Sequence, residues 1–293
     1  MNAKIRASFI KLFIEILISF YMQILSQLTH EMQIFFVVIL GLITGSFATL
    51  VSYRLAHRLP IVLTRSKCLS CGYSLKPWNL IPLLSWVFQR GKCGNCGAKI
   101  SYRYPLIEIG FVLTFLMIYF ALGRQINEIT FVHFAIAATL IVMIVTDLEE
   151  YFIPDVTQYF LVVLVTLLVI LQTGSESVLS HSPAAFLYLF SGIALWLFFR
   201  YAGGIDALGI DDLKFFFIAG FALGTKNFLA FMLLSGVFGL VFGGLWQKIK
   251  KDETFPFAPA ICAAFLICLL FGKTINPVDL LGSTLFFGGL QGL

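Results

Sequence analysis

The stretch GIDALGIDDLKFF, residues 204–216, sets Asp206, Asp211, Asp212 and Lys214 between segments that are almost wholly apolar. A second acidic group, with Asp147, Glu149, Glu150 and Asp155, interrupts an apolar run at TDLEEYFIPD, residues 146–155. A carboxylate next to hydrocarbon costs about 3 kcal/mol unless it is paired, wetted or protonated, so acids in such places are functional candidates by default. Two carboxylates within hydrogen-bonding distance do not both ionise easily. They share a proton, and one can act as general base on a water while the other donates to a carbonyl oxygen. That is hydrolytic chemistry of the aspartic-protease kind. The competing reading, solvated loop acids, is assigned to Glu149, Glu150 and Asp252.

The other reactive constellation is CLSC, Cys68–Cys71, followed by CGNC, Cys93–Cys96. Thiolates two residues apart can grip one tetrahedral ion from a tight turn, and Gly72, Gly94 and Gly97 supply the backbone freedom such knuckles need. Four cysteines close the coordination sphere, so the ion would shape the loop and not activate water. Disulfides and unliganded thiols are the alternatives. Cys262 and Cys268 lie inside an apolar run and read as packing residues. Serine chemistry finds no support: no GxSxG elbow occurs and His30, His57, His133 and His181 are scattered. No GxGxxG follows a strand-like run, which argues against an ordinary dinucleotide fold.

The elements that must hold these residues are membrane spans. Of 293 residues, 59% are hydrophobic and 32 are Phe, against a usual apolar share of about 45–50% in soluble domains. Apolar stretches fall near 12–29, 33–53, 106–122, 128–146, 157–172, 184–200, 212–224, 228–246 and 257–272. About 20 residues are needed to cross a bilayer core, so the seventh is short; the first contains Glu15. The fold class expected is all-α and polytopic, with about eight transmembrane helices and a loop domain that binds zinc. Residues 1–32 read as an extension able to form an extra membrane or amphipathic helix. They also have the outline of a signal peptide without a clear cleavage site, and Met32 offers an alternative start.

Charge orients the chain. Residues 56–104 carry Arg58, Arg65, Lys67, Lys76, Arg90, Lys92, Lys99 and Arg103 and no acid, which makes this loop cytoplasmic by the positive-inside bias. Threading onward, QTGSESVLSHSP falls outside without any Lys or Arg, and KIKK, residues 248–251, falls inside if the short seventh segment crosses. Asp147 and the aspartates at 206–212 then share one depth, at the cytoplasmic face. The reducing cytoplasm disfavours disulfides in the cysteine loop. The net charge of +5 is accounted for by loops of this kind, and nothing resembles a nucleic-acid recognition face, so no nucleic-acid partner is expected.

At this point the sequence resembles the type IV prepilin peptidases, bifunctional leader peptidases and N-methyltransferases of the GxGD aspartic protease group. GSFATLVSYRL (45–55) is similar to the family's opening GSFxNVxxYRL, with Thr49 where Asn is usual. Residues 65–108 are similar to its zinc loop almost throughout. TDLEEYFIPD looks like the segment bearing the first catalytic aspartate, and FPFAPAICAA (255–264) like the late PFGP segment, with Ala258 in place of Gly. The resemblance puts the catalytic aspartates at Asp147 and, in the GxGDxK motif, at Asp212, which has Gly209 three residues before it and Lys214 two after. A register on Asp211 is the alternative. Asp211 stands where the family has Gly. Glycine there would permit positive φ or close backbone approach, and an extra carboxylate next to the pair is expected to make the pH optimum less acidic than in relatives with Gly.

The resemblance implies zinc held by Cys68, Cys71, Cys93 and Cys96, S-adenosylmethionine as methyl donor, and prepilins or type II secretion pseudopilins as substrates, in the bacterial inner membrane among lipid. It also implies the division: 1–32 extension, 33–55 first family helix, 56–104 zinc loop, 105–293 peptidase core. Lys214 and Asp155 rank second as site residues, and Glu108 is expected to pair with Arg103. A rival class is a non-enzymatic transporter or assembly factor with a zinc-ribbon loop. Acids gathered at one interface instead of mid-span favour the peptidase.

Overall fold

The computed structural model describes residues 25, 27–61, 65–203, 208–250 and 255–275. The apolar stretch expected at 12–29 lies almost wholly outside these residues, as do Asp206, Asp252 and the glycine-rich tail. The remaining eight stretches are all helical, with ends within four residues of those expected. The first two are separated by the cysteine loop, which contains a 3-10 turn, Pro77–Leu80, and one short α-helix. In chain order the helices are α1 His30–Ala56, α2 Leu84–Phe88, α3 Arg103–Ala121, α4 Glu128–Glu150, α5 Asp155–Thr173, α6 Ser182–Phe198, α7 Ile210–Leu223, α8 Phe228–Lys250 and α9 Ala258–Ile275.

Among the described residues, six helices are long and apolar enough to cross a membrane, the stretches holding α6 and α8 extending to Ser175–Tyr201 and Thr225–Lys250. The protein is therefore an all-α, multi-pass membrane protein. α7 has 14 residues, and at about 1.5 Å per residue it is some 21 Å long. Local signals set the ends. Asn127 caps α4 by accepting the Thr130 N–H at 2.9 Å, and Pro lies in the first turn of α6. Gly174 and Gly224, both at positive φ, stop α5 and α7.

Bonds between helix ends sort the bundle into two levels. At one level Arg103 of α3 reaches Ser52 of α1, Asp147 of α4 meets Ala258 of α9, and Lys214 of α7 meets Asp155 of α5. At the other, Tyr119 donates to Gln33 at 2.8 Å, His181 Nδ1 contacts the Phe221 carbonyl at 2.9 Å, and Tyr188 donates to the Gly224 carbonyl at 3.1 Å. Short as it is, α7 thus runs from one level to the other alongside α6.

The helices are held by packing, since lipid offers no hydrophobic drive between them. Phe111, Phe115, Ile118, Phe134 and Val37 fill the space among α1, α3 and α4. Ile136, Met143, Leu161, Phe215, Phe216, Phe231 and Phe265 fill the rest. Glycine permits the closest approaches: a Cβ on Gly45 would stand 2.9 Å from Glu108 Cα, and one on Gly220 would stand 2.6 Å from the Ala184 carbonyl oxygen. Both obstacles are backbone, so Gly45→Ala must push α1 off α3. Overpacking of this kind costs about 1–3 kcal/mol, and the variant is expected to unfold at a clearly lower temperature in detergent, read by a thermal-shift assay.

Candidate active site and metal centre

Asp147 comes from the last turn of α4 and Asp212 from the first turn of α7, and the bundle leaves them only 7% and 8% exposed. Each carboxylate is met by a backbone N–H at a helix start. Asp147 Oδ2 accepts from Ala258, the first residue of α9, at 2.8 Å. Asp212 Oδ2 accepts from Gly209, which precedes α7, at 2.8 Å. A helix start favours negative charge because its first N–H groups lack intrahelical partners. The Asp147 charge acts on Asp212, and both act on the fully buried Cys262 of α9. The fold therefore sets these two buried acids near enough for the charge of one to act on the other, although 65 positions separate them in the chain.

Asp211 does not need the freedom of the glycine it replaces. It lies inside α7 and is not among the residues with positive φ. Its carbonyl accepts from Gln158 Nε2 of α5 at 3.1 Å. Its carboxylate takes Lys214 Nζ at 2.9 Å, while the same ammonium reaches Asp155 of α5 at 2.6 Å. Lys214 and Asp155 thus form part of a clamp between the first turns of α5 and α7, next to Asp212. Gln158, only 2% exposed, keeps a buried Oε1 with no protein partner.

Two expectations for charged groups need correction. Glu108 does not pair with Arg103: five residues apart on one helix, they point to different faces. Glu108, 5% exposed, instead accepts the Leu83 N–H at 2.7 Å. Leu83 is the centre of a tight turn at φ 57°, ψ −52°, closed by Leu84 N–H to the Pro82 carbonyl at 2.6 Å. That is a strained conformation for a residue with a side chain, and the buried carboxylate holds it. Glu149 is not a free loop acid. Arg103 grips both its oxygens.

The four cysteines meet as the spacing predicts. Their sulfurs all lie within 4.8 Å of one another. A tetrahedral ion with Zn–S of about 2.3 Å has sulfurs about 3.8 Å apart, so the set fits zinc with little adjustment. The two halves are built alike. Lys67 bridges Ser74 and Lys92 bridges Lys99; Cys68 N–H bonds the Tyr73 carbonyl at 2.9 Å and Cys93 N–H that of Ala98 at 2.8 Å. Gly72 and Gly97 take φ of 69° and 72°. Backbone N–H groups of Cys71 and Ser70 lower the Cys68 pKa, and that of Tyr73 lowers that of Cys71. At Cys96 the Ala98 N–H pulls down, but Cys71 and the other sulfurs, with desolvation, push the thiol up to about 11. Four thiolates repel unless a cation sits among them, which is the condition a zinc ion meets.

A multi-pass helical protein with a buried acid pair at one end of its bundle and a four-cysteine loop at the same end is the class that fold and site define. Comparison with known proteins agrees. The bacterial peptidase A24 N-terminal domain matches residues 39–122 and the type IV leader peptidase family matches residues 134–244. A prepilin leader peptidase/N-methyltransferase of Bacillus subtilis (strain 168) is 34% identical over 243 residues, covering 81% of this chain and 94% of that protein. Proteins of the same name from Burkholderia pseudomallei (strain K96243) and Pseudomonas aeruginosa are 29% and 27% identical, over 84% and 82% of this chain and 88% and 90% of theirs. No solved structure matches. The chain belongs to the type IV leader peptidase family.

Sequence reasoning named Asp147 and Asp212, which the fold buries, and the four cysteines, whose sulfurs it gathers. It missed the roles of Arg103, Glu149, Gln158 and the Ala258 N–H. Arg103 lies within the stretch similar to the family's loop, but no spacing rule names its partner on α4.

Replacing Cys93, the one buried cysteine of the four, with Ser is expected to reduce bound zinc from about one ion per chain to near none. Metal analysis of the purified protein, with limited proteolysis of residues 65–103 as a second readout, checks this.

Proposed function

We propose that the protein is a membrane aspartic endopeptidase that removes the basic leader of prepilins or pseudopilins after a Gly and then methylates the new N-terminal amine. The observation that supports this reading is the burial of Asp147 and Asp212, near enough for their charges to interact, each oriented by a helix-start N–H. With one member protonated and one ionised, the ionised carboxylate takes a proton from a water held between them. The water oxygen attacks the scissile carbonyl, and the protonated partner donates to the carbonyl oxygen. Collapse expels the amine, which leaves with a proton returned by the pair, and the leader departs as a carboxylic acid.

The bilayer supports the same assignment. A substrate with a basic leader ahead of an apolar helix presents its junction at the cytoplasmic interface, and the Lys/Arg-rich cysteine loop favours that face for the end of the bundle bearing Asp147 and Asp212. Zinc at Cys68, Cys71, Cys93 and Cys96 would hold the loop in shape. S-adenosylmethionine would supply an electrophilic methyl group for the amine that the first reaction exposes.

The test is cleavage of a prepilin peptide by the purified protein in detergent. Asp147→Asn and Asp212→Asn are each expected to lower kcat by about 10²–10⁴-fold or more. Methylation of an already cleaved pilin, followed by mass spectrometry of its N-terminus, is expected to survive in both. Undiminished cleavage in either variant refutes the acid pair.

A further inference from the structure

Arg103 opens α3, seven positions after Cys96, and its guanidinium is engaged by three residues on two other helices, α1 and α4. Nε and Nη2 hold the two carboxylate oxygens of Glu149, the second at 2.9 Å. Nη2 also donates to Ser52 Oγ at 2.8 Å, and Nη1 to the Thr49 carbonyl at 3.3 Å. The two side chains are 19% and 32% exposed, so solvent screens their attraction and the charge alone stabilises little. What a bidentate guanidinium–carboxylate pair adds is fixed geometry.

That geometry is imposed on the turn that bears Asp147. Glu149 lies two residues beyond it, and the Asp147 carbonyl closes the helix by accepting the Tyr151 N–H at 3.0 Å. Tyr151 itself turns left-handed at φ 56°, ending α4 immediately after the pinned residue. The last turn of α4 is thus held at its carboxylate by α9 and at Glu149 by α3 and α1. Arg103, Ser52 and Thr49 fall in the N-terminal matched region and Glu149 in the second. A single side chain therefore ties the exit of the cysteine loop to the helix carrying one acid of the pair.

We infer that Arg103 is a positioning residue for peptide cleavage: through Glu149 it fixes Asp147 relative to Asp212 and so couples the cysteine loop to the acid pair. The inference rests on the reading of Asp147 and Asp212 as the catalytic pair. Other charged or titratable groups facing Asp147 are accounted for. From α7 come Asp212 and Asp211, the latter tied to Lys214 and, through it, to Asp155 of α5. From α9 comes Cys262, and Glu150 follows on α4 itself. α1 presents neutral Thr49 and Ser52 here, while its Arg54 engages the Pro60 and Ile61 carbonyls.

The test is the pH–rate profile of cleavage for Arg103→Lys, Arg103→Gln, Glu149→Gln and the Arg103→Gln/Glu149→Gln double variant. Interacting acids titrate as a pair whose two apparent values are driven apart by their interaction. Loosening Asp147 is expected to bring the acidic and basic limbs closer together. It is also expected to lower kcat about ten- to a hundredfold, as misplacing a reacting group by about 1 Å does. KM and bound zinc should be little changed, Arg103→Lys should be milder than Arg103→Gln, and the double variant should be no worse than Arg103→Gln. A merely structural role scales the profile by the fraction of folded protein and moves neither limb. Limbs that stay in place in every variant overturn the inference, as does additive loss in the double variant. Asp147→Asn, run beside them, separates the two failures: its retained activity sinks the acid pair, whereas its inactivity with unmoved Arg103 profiles sinks only the role of Arg103.

Discussion

The constraint on which the structure depends is the burial of two carboxylates, Asp147 and Asp212, at one end of an apolar bundle. Such burial is tolerated only when the acid finds hydrogen-bond donors, and in this chain the donors are backbone. Ala258 and Gly209 each give an N–H at a helix start, where such groups are free to be given. The Gly209 bond is local to the start of α7, whereas the Ala258 bond forms only when α9 meets the end of α4. The close helix approaches at Gly45 and Gly220 and the aromatic packing of Phe215 and Phe265 serve that meeting.

A second layer of bonds keeps the level in register. Lys214 bridges Asp211 and Asp155, and Gln158 grips the Asp211 carbonyl, so the first turns of α5 and α7 cannot slide past each other without breaking both. Arg103 does the same between α1, α3 and α4, and Glu108 anchors the cysteine loop at the Leu83 turn. The loop is thus tied to the bundle at several points, these two and the Arg54 bonds to the Pro60 and Ile61 carbonyls among them. The Arg103 tie ends on Glu149, two residues from Asp147, which links the four-cysteine cluster to acids it does not touch.

Much of this was legible in the sequence for physical reasons. A run of apolar residues long enough to span leaves few options but helix, so the ends of α5 and α6 were placed to within two residues. A CxxC pair repeated after 21 residues constrains four sulfurs strongly, and they do meet. The choice of Asp212 over Asp211 came from Gly209 and Lys214, and Asp212 is the more buried of the two. The substitution at Asp211 was readable as unusual, but its consequence was not. The residue sits in regular helix and is bonded to Lys214, so no left-handed backbone is needed. Likewise Arg103 and Glu108 were read as partners because they are near in sequence, whereas helix geometry turns them apart. Which acid a lysine or arginine chooses, and which N–H a carboxylate receives, are facts of tertiary packing that no local pattern encodes.

The central claim is that one folded chain brings Asp147 and Asp212 into contact, and cross-linking measures this most directly. With Cys262→Ala to remove the neighbouring thiol, the paired variant Asp147→Cys/Asp212→Cys is treated in membranes with a short thiol-bridging reagent, using Asp155→Cys/Lys214→Cys as the control pair. The account predicts an intramolecular bridge in both. A bridge in the control without one between positions 147 and 212 would contradict it.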